Sequence, residues 1–183
     1  KENKGKVFGF HRALDTAGAA VGPFAALVFL YYYPGQYKWL FIISVLPGFI
    51  AIMLTFFLKD KQKHASTRKS PGFFAFLTYW KQSPKRFRFL VAGLLAFTLF
   101  NSSDAFLLLS IKSKGFSDSY MIGVYIFYNL VYALLSYPLG MLADKFGLSR
   151  ILIFGLGVFA VVYSFMGFAV VTWHFAVLFG LYA

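Results

Sequence analysis

The chain of 183 residues is 60% hydrophobic and 13% charged, with a mean hydropathy of +0.69, which exceeds the roughly half-apolar composition of soluble domains. Its formal net charge of +12 does not indicate nucleic acid as a partner, because the basic residues stand between long apolar runs rather than together on one water-facing surface. The sequence has no cysteine and none of the glycine-loop, zinc-binding or nucleophile-elbow motifs of common enzyme classes, so we expect no enzyme activity, no metal site and no cofactor.

Long apolar stretches dominate the sequence. Five of them can cross about 30 Å of hydrocarbon at about 1.5 Å per residue: 7–33, 39–58, 89–111, 119–143 and 151–173. Another apolar run starts after His174 and reaches Ala183, far short of the ~20 residues that a crossing needs. We therefore predict an all-α integral membrane protein whose chain is a fragment, with five complete transmembrane helices and the start of a sixth.

Lysine and arginine residues indicate which side of the membrane each connection faces. If the N-terminus lies inside and the spans alternate, fifteen of the eighteen basic residues fall on the inner side, and only Lys38, Lys112 and Lys114 fall outside. The positive-inside rule predicts this asymmetry. We expect a multi-pass protein of the inner or plasma membrane, with residue 1 and the connections 59–88 and 144–150 in the cytoplasm.

The first span contains charged residues near its cytoplasmic end. Arg12 and Asp15 are three residues apart, so they can pair on one helix face and offset part of their desolvation.

The connection 59–88 is polar and basic except for an apolar stretch at 70–80, which is too short to cross the membrane. Four apolar residues of this stretch share one helical face: Phe73, Phe76, Leu77 and Trp80. The pattern predicts a cytoplasmic linker with a short helix that either lies on anionic lipid or packs against the base of the bundle.

Asp104 interrupts the third span. On a continuous helix it would lie about 22 Å from Phe89, where an ionised carboxylate costs at least ~2.5–3.5 kcal/mol, and Asn101 would share its face. Because withdrawal from water favours the neutral acid, Asp104 is a candidate for binding and releasing a proton during transport. The alternative is a packing contact, in which its side chain bonds to a neighbouring helix.

The fourth span carries a polar strip formed by Tyr128, Asn129 and Tyr132. The strip predicts either the wall of a substrate cavity near the membrane midplane or ordinary helix packing.

Two motifs are defined by the spacing of glycines. The first span carries Gly9, Gly18 and the pair Gly22-Pro23. The connection after the fourth span reads Gly140-x-x-x-Asp144-Lys145-x-Gly147-x-x-Arg150. The first spacing resembles the glycine-proline motif on the fifth helix of antiporters of the major facilitator superfamily. The second resembles the G-x-x-x-D-R/K-x-G-x-x-R signature that follows the second and eighth helices of that superfamily.

The resemblance implies a partial major-facilitator-type helical bundle in which this chain covers approximately helices five to ten. Residues 1–58 would be the last two helices of the N-terminal six-helix half, 59–88 the linker, and 89–183 the truncated first part of the C-terminal half. The expected partners are a small-molecule substrate, protons, the lipid bilayer and the missing remainder of the same chain.

In this superfamily the signature segment of one half docks on a helix of the other half and stabilises the outward-facing state. Transferred here, Asp144 would lie at the N-terminal end of the first span, near its positive dipole and near Arg12. The glycines of the segment would permit a tight turn, and its basic residues would anchor it in the cytoplasm. Gly18 and Gly22 would bring two helix backbones close together, and Pro23 would loosen the helix after them.

The resemblance implies secondary active transport of a small molecule by alternating access, and its glycine-proline motif favours proton-coupled efflux of a drug-like compound or a metabolite. The antiporter motif usually ends in a glycine pair where this chain has Ala26 and Leu27, so an uptake symporter or a facilitator is the alternative. A membrane anchor or assembly protein is the alternative of another class, but it leaves the membrane cost of Asp104 unexplained.

Overall fold

The computed structural model describes residues 3–58, 72, 74–101 and 103–183, and this part of the chain forms eight α-helices. In chain order they are α1 (Lys4–Tyr32), α2 (Tyr37–Thr55), α3 (Ala75–Gln82), α4 (Lys85–Phe100), α5 (Asp104–Ser113), α6 (Asp118–Phe146), α7 (Leu148–Met166) and α8 (Thr172–Tyr182).

Within the described residues, five helical segments are long and apolar enough to cross a membrane: Lys4–Tyr32, Tyr37–Thr55, Lys85–Ser113, Asp118–Phe146 and Leu148–Met166. None of the residues of α2 is buried, although this helix is almost entirely apolar. A helix that exposes an apolar surface all round needs apolar surroundings. The predicted all-α membrane fold is confirmed.

Two predicted boundaries are wrong. The third span is not one helix, because α4 ends at Phe100, Asn101 has an extended backbone with ψ 124°, and α5 begins at Asp104. Asn101 and Asp104 therefore do not share a helix face. The fifth span ends at Met166, and His174 belongs to the first turn of α8, where its Nδ1 accepts a hydrogen bond from the Val170 N–H at 3.3 Å.

The chain divides into two compact units, one comprising Lys1–Ile42 with Leu107–Ala183 and the other Ile43–Phe106. The first unit has a continuous apolar core at which α5, α6, α7 and α8 meet. Its buried members are Leu107, Ile111, Val124, Tyr128, Val162, Met166, Ala169, Phe175 and Phe179. Phe175 and Phe179 are fully buried and lie four residues apart on one face of α8, so this short helix is held by two large aromatic side chains.

In the same unit, α1 packs along α6 through backbones that lie unusually close together. A Cβ atom added to Gly9 would overlap the Ser136 carbonyl and lie 3.3 Å from the Cα of Gly140, and one added to Gly140 would overlap the Gly5 carbonyl. Gly5 and Gly9 are four residues apart on α1, as are Ser136 and Gly140 on α6, so small residues face each other on both helices.

In the second unit, α3 and the start of α4 are joined by a two-residue turn at Ser83-Pro84. Ser83 is buried and its hydroxyl donates to the Tyr79 carbonyl at 2.6 Å, while the Tyr79 and Phe87 rings meet edge to face with centroids 5.8 Å apart. The short helix predicted at 70–80 corresponds to α3 in its described part. Phe73 lies outside the described residues, as does the first part of the predicted linker, 59–71.

The close approach of α1 and α6 predicts opposite effects for two Gly→Ala substitutions in the full-length protein. Gly9→Ala should lower the midpoint of thermal unfolding, because the new methyl group meets backbone that cannot rotate away, at a cost of about 1–3 kcal/mol. Gly157→Ala in α7 is the control, since its methyl group would meet nothing within 4 Å among the described residues and helix propensity gains up to about 1 kcal/mol. A Gly9→Ala midpoint equal to or above that of the control would contradict the close contact.

Candidate functional site at the contact between α1 and α6

Asp144, in the last turn of α6, accepts two hydrogen bonds from the backbone at the start of α1. The Gly5 N–H donates to Oδ1 and the Lys6 N–H to Oδ2, both at 2.8 Å. These N–H groups belong to the first turn of α1, where no carbonyl of the same helix can accept them. The carboxylate therefore satisfies two helix-terminal donors at the positive end of the α1 dipole.

Glycine at position 140 allows the carboxylate to reach this place. Gly140 lies four residues before Asp144 on the same face of α6, and it contacts the backbone of Gly5 directly. The expectation that Gly140 forms part of a tight turn is wrong, because it lies inside a helix. The turn consists of Gly147 alone, whose φ of +94° falls in a region that side chains rarely adopt.

A second group of polar side chains joins α1 to α6 two turns further along. The Arg12 Nε–H donates to the Tyr132 hydroxyl at 2.9 Å, and the guanidinium lies 5.1 Å from the centre of the Tyr132 ring. The Arg12 Nη1 also pairs with the Asp15 carboxylate at 3.2 Å. Arg12 was expected near Asp144, but it pairs with Asp15 and Tyr132. Asp144 accepts its hydrogen bonds from backbone N–H groups of α1.

At the opposite end of the contact, α1, α5 and α6 line a partly open cavity of about 160 Å³. Its lining is apolar and comes from α1, α5 and α6: Pro23, Ala26, Leu27, Leu30, Leu108, Met121, Ile122 and Tyr125. The same pair of helices is therefore in backbone contact at the Gly5 end and incompletely packed at the Leu30 end.

Gly18 and Gly22 are not sites of close backbone contact among the described residues. A Cβ atom added at either position would have no atom of another described helix within 4 Å. Close contact occurs instead at Gly5 and Gly9, of which the motif included Gly9 alone. Pro23 lies within α1, which continues to Tyr32. The signal for Gly5 was present in the sequence as two pairs of small residues at a spacing of four, Gly5 with Gly9 and Ser136 with Gly140.

The predicted polar strip of α6 divides between two environments. Tyr128 is 8% exposed, stacks on Tyr182 with ring centroids 5.4 Å apart, and belongs to the apolar core, while Asn129 is 4% exposed and donates to the Tyr125 carbonyl at 2.8 Å. In this arrangement both residues are packed inside the first unit rather than lining a cavity. Tyr132 faces α1 and accepts the hydrogen bond from Arg12.

The remaining candidates lie at or near the ends of helices. Asp104 begins α5 directly after the break that follows Asn101, and the neighbouring Ser103 hydroxyl accepts a hydrogen bond from the Ala105 N–H at 3.4 Å. Lys145 lies 5.5 Å from the Phe146 ring centre at the end of α6, and Arg150 lies in the first turn of α7. Among the described residues, no three His, Asp or Glu side chains converge as a metal site would require.

Comparisons with known proteins identify the family. The family model of the Major Facilitator Superfamily matches residues 1–183. An uncharacterized MFS-type transporter of Methanocaldococcus jannaschii is 32% identical over 171 residues, which cover 90% of this chain and 41% of that protein. The chain thus spans about two fifths of the length of this curated relative, and no solved structure matches it. With five helical segments among the described residues that are long and apolar enough to cross a membrane, and a family match over its whole length, this chain belongs to the major facilitator superfamily of membrane transporters.

Proposed function

We propose that the full-length protein is a secondary active transporter that exports a small molecule in exchange for protons by alternating access. In this proposal residues 1–58 end the N-terminal half, 59–88 link the halves, and 89–183 begin the C-terminal half. The contact between α1 and α6 is then a contact between the two halves. Its basic end faces the cytoplasm, as the distribution of lysine and arginine indicates.

The observation that carries the proposal is the difference between the two ends of this contact. At the cytoplasmic end the helices are joined by the two hydrogen bonds to Asp144, the glycine contacts and the bond between Arg12 and Tyr132. At the other end the same two helices line an apolar cavity together with α5. This is the arrangement that a transporter closed on its cytoplasmic side requires, and the joined end is the gate that must open for the opposite state.

Proton coupling is proposed for Asp104. Intramembrane carboxylates are costly unless they face protein or water, and they are frequent in proton relays. Asp104 lies at a helix break within the span Lys85–Ser113, where backbone groups released from helical bonding also need polar surroundings. A side chain that binds a proton in the outward-open state and releases it in the inward-open state would couple the transmembrane proton gradient to opening and closing of the gate.

Uptake by symport, or facilitated diffusion, is the second candidate. One observation favours it: Ala26 and Leu27, which replace the glycine pair of the antiporter motif, line the apolar cavity and fill space that glycines would leave open. A non-transporting anchor would give no flux of any substrate.

The gate predicts that Asp144→Asn shifts the full-length protein towards the inward-open state. The amide keeps one acceptor but loses the charge that favours the α1 N-terminus, and bonds to charged groups contribute about 1.5–3 kcal/mol. With Ser136→Cys as the only reactive thiol, labelling by a membrane-impermeant maleimide from the cytoplasmic side should become roughly tenfold faster. Ser136 is 8% exposed, so the thiol reports opening of the contact.

Asp118→Asn is the matched control for charge removal, since Asp118 pairs with Lys112 at 2.9 Å near the other end of α6. Its labelling rate should equal that of the parent protein. If Asp144→Asn and Asp118→Asn give the same rate, Asp144 does not hold the gate.

Asp104→Asn should abolish proton movement coupled to substrate while leaving protein abundance unchanged, because the amide cannot bind or release a proton. Full-length protein in inside-out vesicles with an acidic lumen would be tested with ethidium and a panel of metabolites, and proton release would be followed with a pH-sensitive dye. Substrate-dependent proton release that persists in the variant would contradict the assignment of Asp104. Substrate flux without any proton movement in the parent protein would favour the facilitator.

A further inference from the structure

We propose that the groove between the end of α3 and the start of α4 binds one anionic phospholipid of the cytoplasmic leaflet. The groove has a volume of about 520 Å³ and is lined by Trp80, Lys85, Arg88, Phe89 and Ala92, all in the second unit. This site does not depend on the transport activity or on the gate proposed above.

The order of the lining residues along α4 matches the order of chemical groups in a phospholipid. Lys85, Arg88 and Phe89 lie at spacings of three and four residues, and Ala92 continues the same face, about 10 Å along the axis from Lys85. Two cations therefore stand at the end of the groove where the membrane span begins, and apolar side chains follow at greater depth. A headgroup phosphate fits the cations, and an acyl chain fits the apolar wall.

Charge in the surrounding chain makes the groove a site for an anion. The sequence contains no Asp or Glu from Lys61 to Ser103, and neither Lys85 nor Arg88 forms an ion pair with any residue that the structure describes. Basic side chains close to the cytoplasmic leaflet attract its anionic lipids. The anionic lipids of this leaflet can therefore supply the negative charge that no described side chain offers to Lys85 and Arg88.

The walls of the groove are held in place before any lipid binds. The Tyr79 and Phe87 rings pack edge to face, and the buried Ser83 hydroxyl bonds back to α3, so the turn between α3 and α4 is fixed. Trp80 lines the same groove, and indole rings are favoured at membrane interfaces because they combine an apolar body with a polar N–H.

The site is tested by native mass spectrometry of the full-length protein titrated with phosphatidylglycerol or phosphatidylcholine in detergent. We expect one phosphatidylglycerol molecule to be retained. The double variant Lys85→Gln/Arg88→Gln should weaken its binding at least about tenfold. The matched control is Lys81→Gln/Arg86→Gln, which removes the same charge from exposed neighbours outside the groove and should change binding less than about threefold.

A third variant separates a lipid site from a site for phosphate alone. Ala92→Trp fills the apolar end of the groove without changing charge, and it should also weaken phosphatidylglycerol binding about tenfold. The proposal is overturned if both double variants weaken binding equally, if phosphatidylcholine binds as tightly as phosphatidylglycerol, or if Ala92→Trp has no effect while glycerol phosphate displaces the lipid.

Discussion

The first unit of this chain depends on the backbone contact between α1 and α6. In a bilayer, two apolar helices gain little by hiding apolar surface from each other, because lipid is equally apolar, so their association relies on close packing and on polar contacts. Glycine at positions 5, 9 and 140 supplies the close packing. The short distance between the helices then lets one carboxylate, from Asp144, reach the first turn of α1.

The polar contacts at this end are of two kinds that respond differently to movement. The bonds from Gly5 and Lys6 to Asp144 are made by backbone groups, so they are lost as soon as the helix ends separate. Arg12 and Tyr132 interact through long side chains that can follow a small displacement. In the proposed gate, opening would therefore begin at the helix terminus while the second group still holds.

Local properties of the sequence predicted most of the fold, whereas packing partners had to come from the structure. Hydropathy and the placement of lysine and arginine depend on short stretches of chain, and they predicted the all-α membrane fold that the structure confirms. The break after Asn101 carries neither proline nor glycine, but Asn101 and the serine before Asp104 are residues common at helix ends, and this polar cluster was interpreted only as an interruption of one span. The position of Asp144 followed from the family resemblance and the α1 dipole. The helical face that meets a neighbour depends on residues far away in the chain, so the spacing of Gly18 and Gly22 could not identify the contact at Gly5 and Gly9, and the choice between cavity wall and packing for Tyr128 had to come from the structure.

The single-residue connection between α6 and α7 has a consequence for the length of this segment. Gly147 alone separates the last residue of α6 from the first residue of α7, and its positive φ sets the angle between them. Inserting one residue would rotate the whole of α7 by about 100° about its axis, turning Val162 and Met166 out of the core they share with α8. Relatives that keep this packing should therefore align across residues 140–150 without a gap.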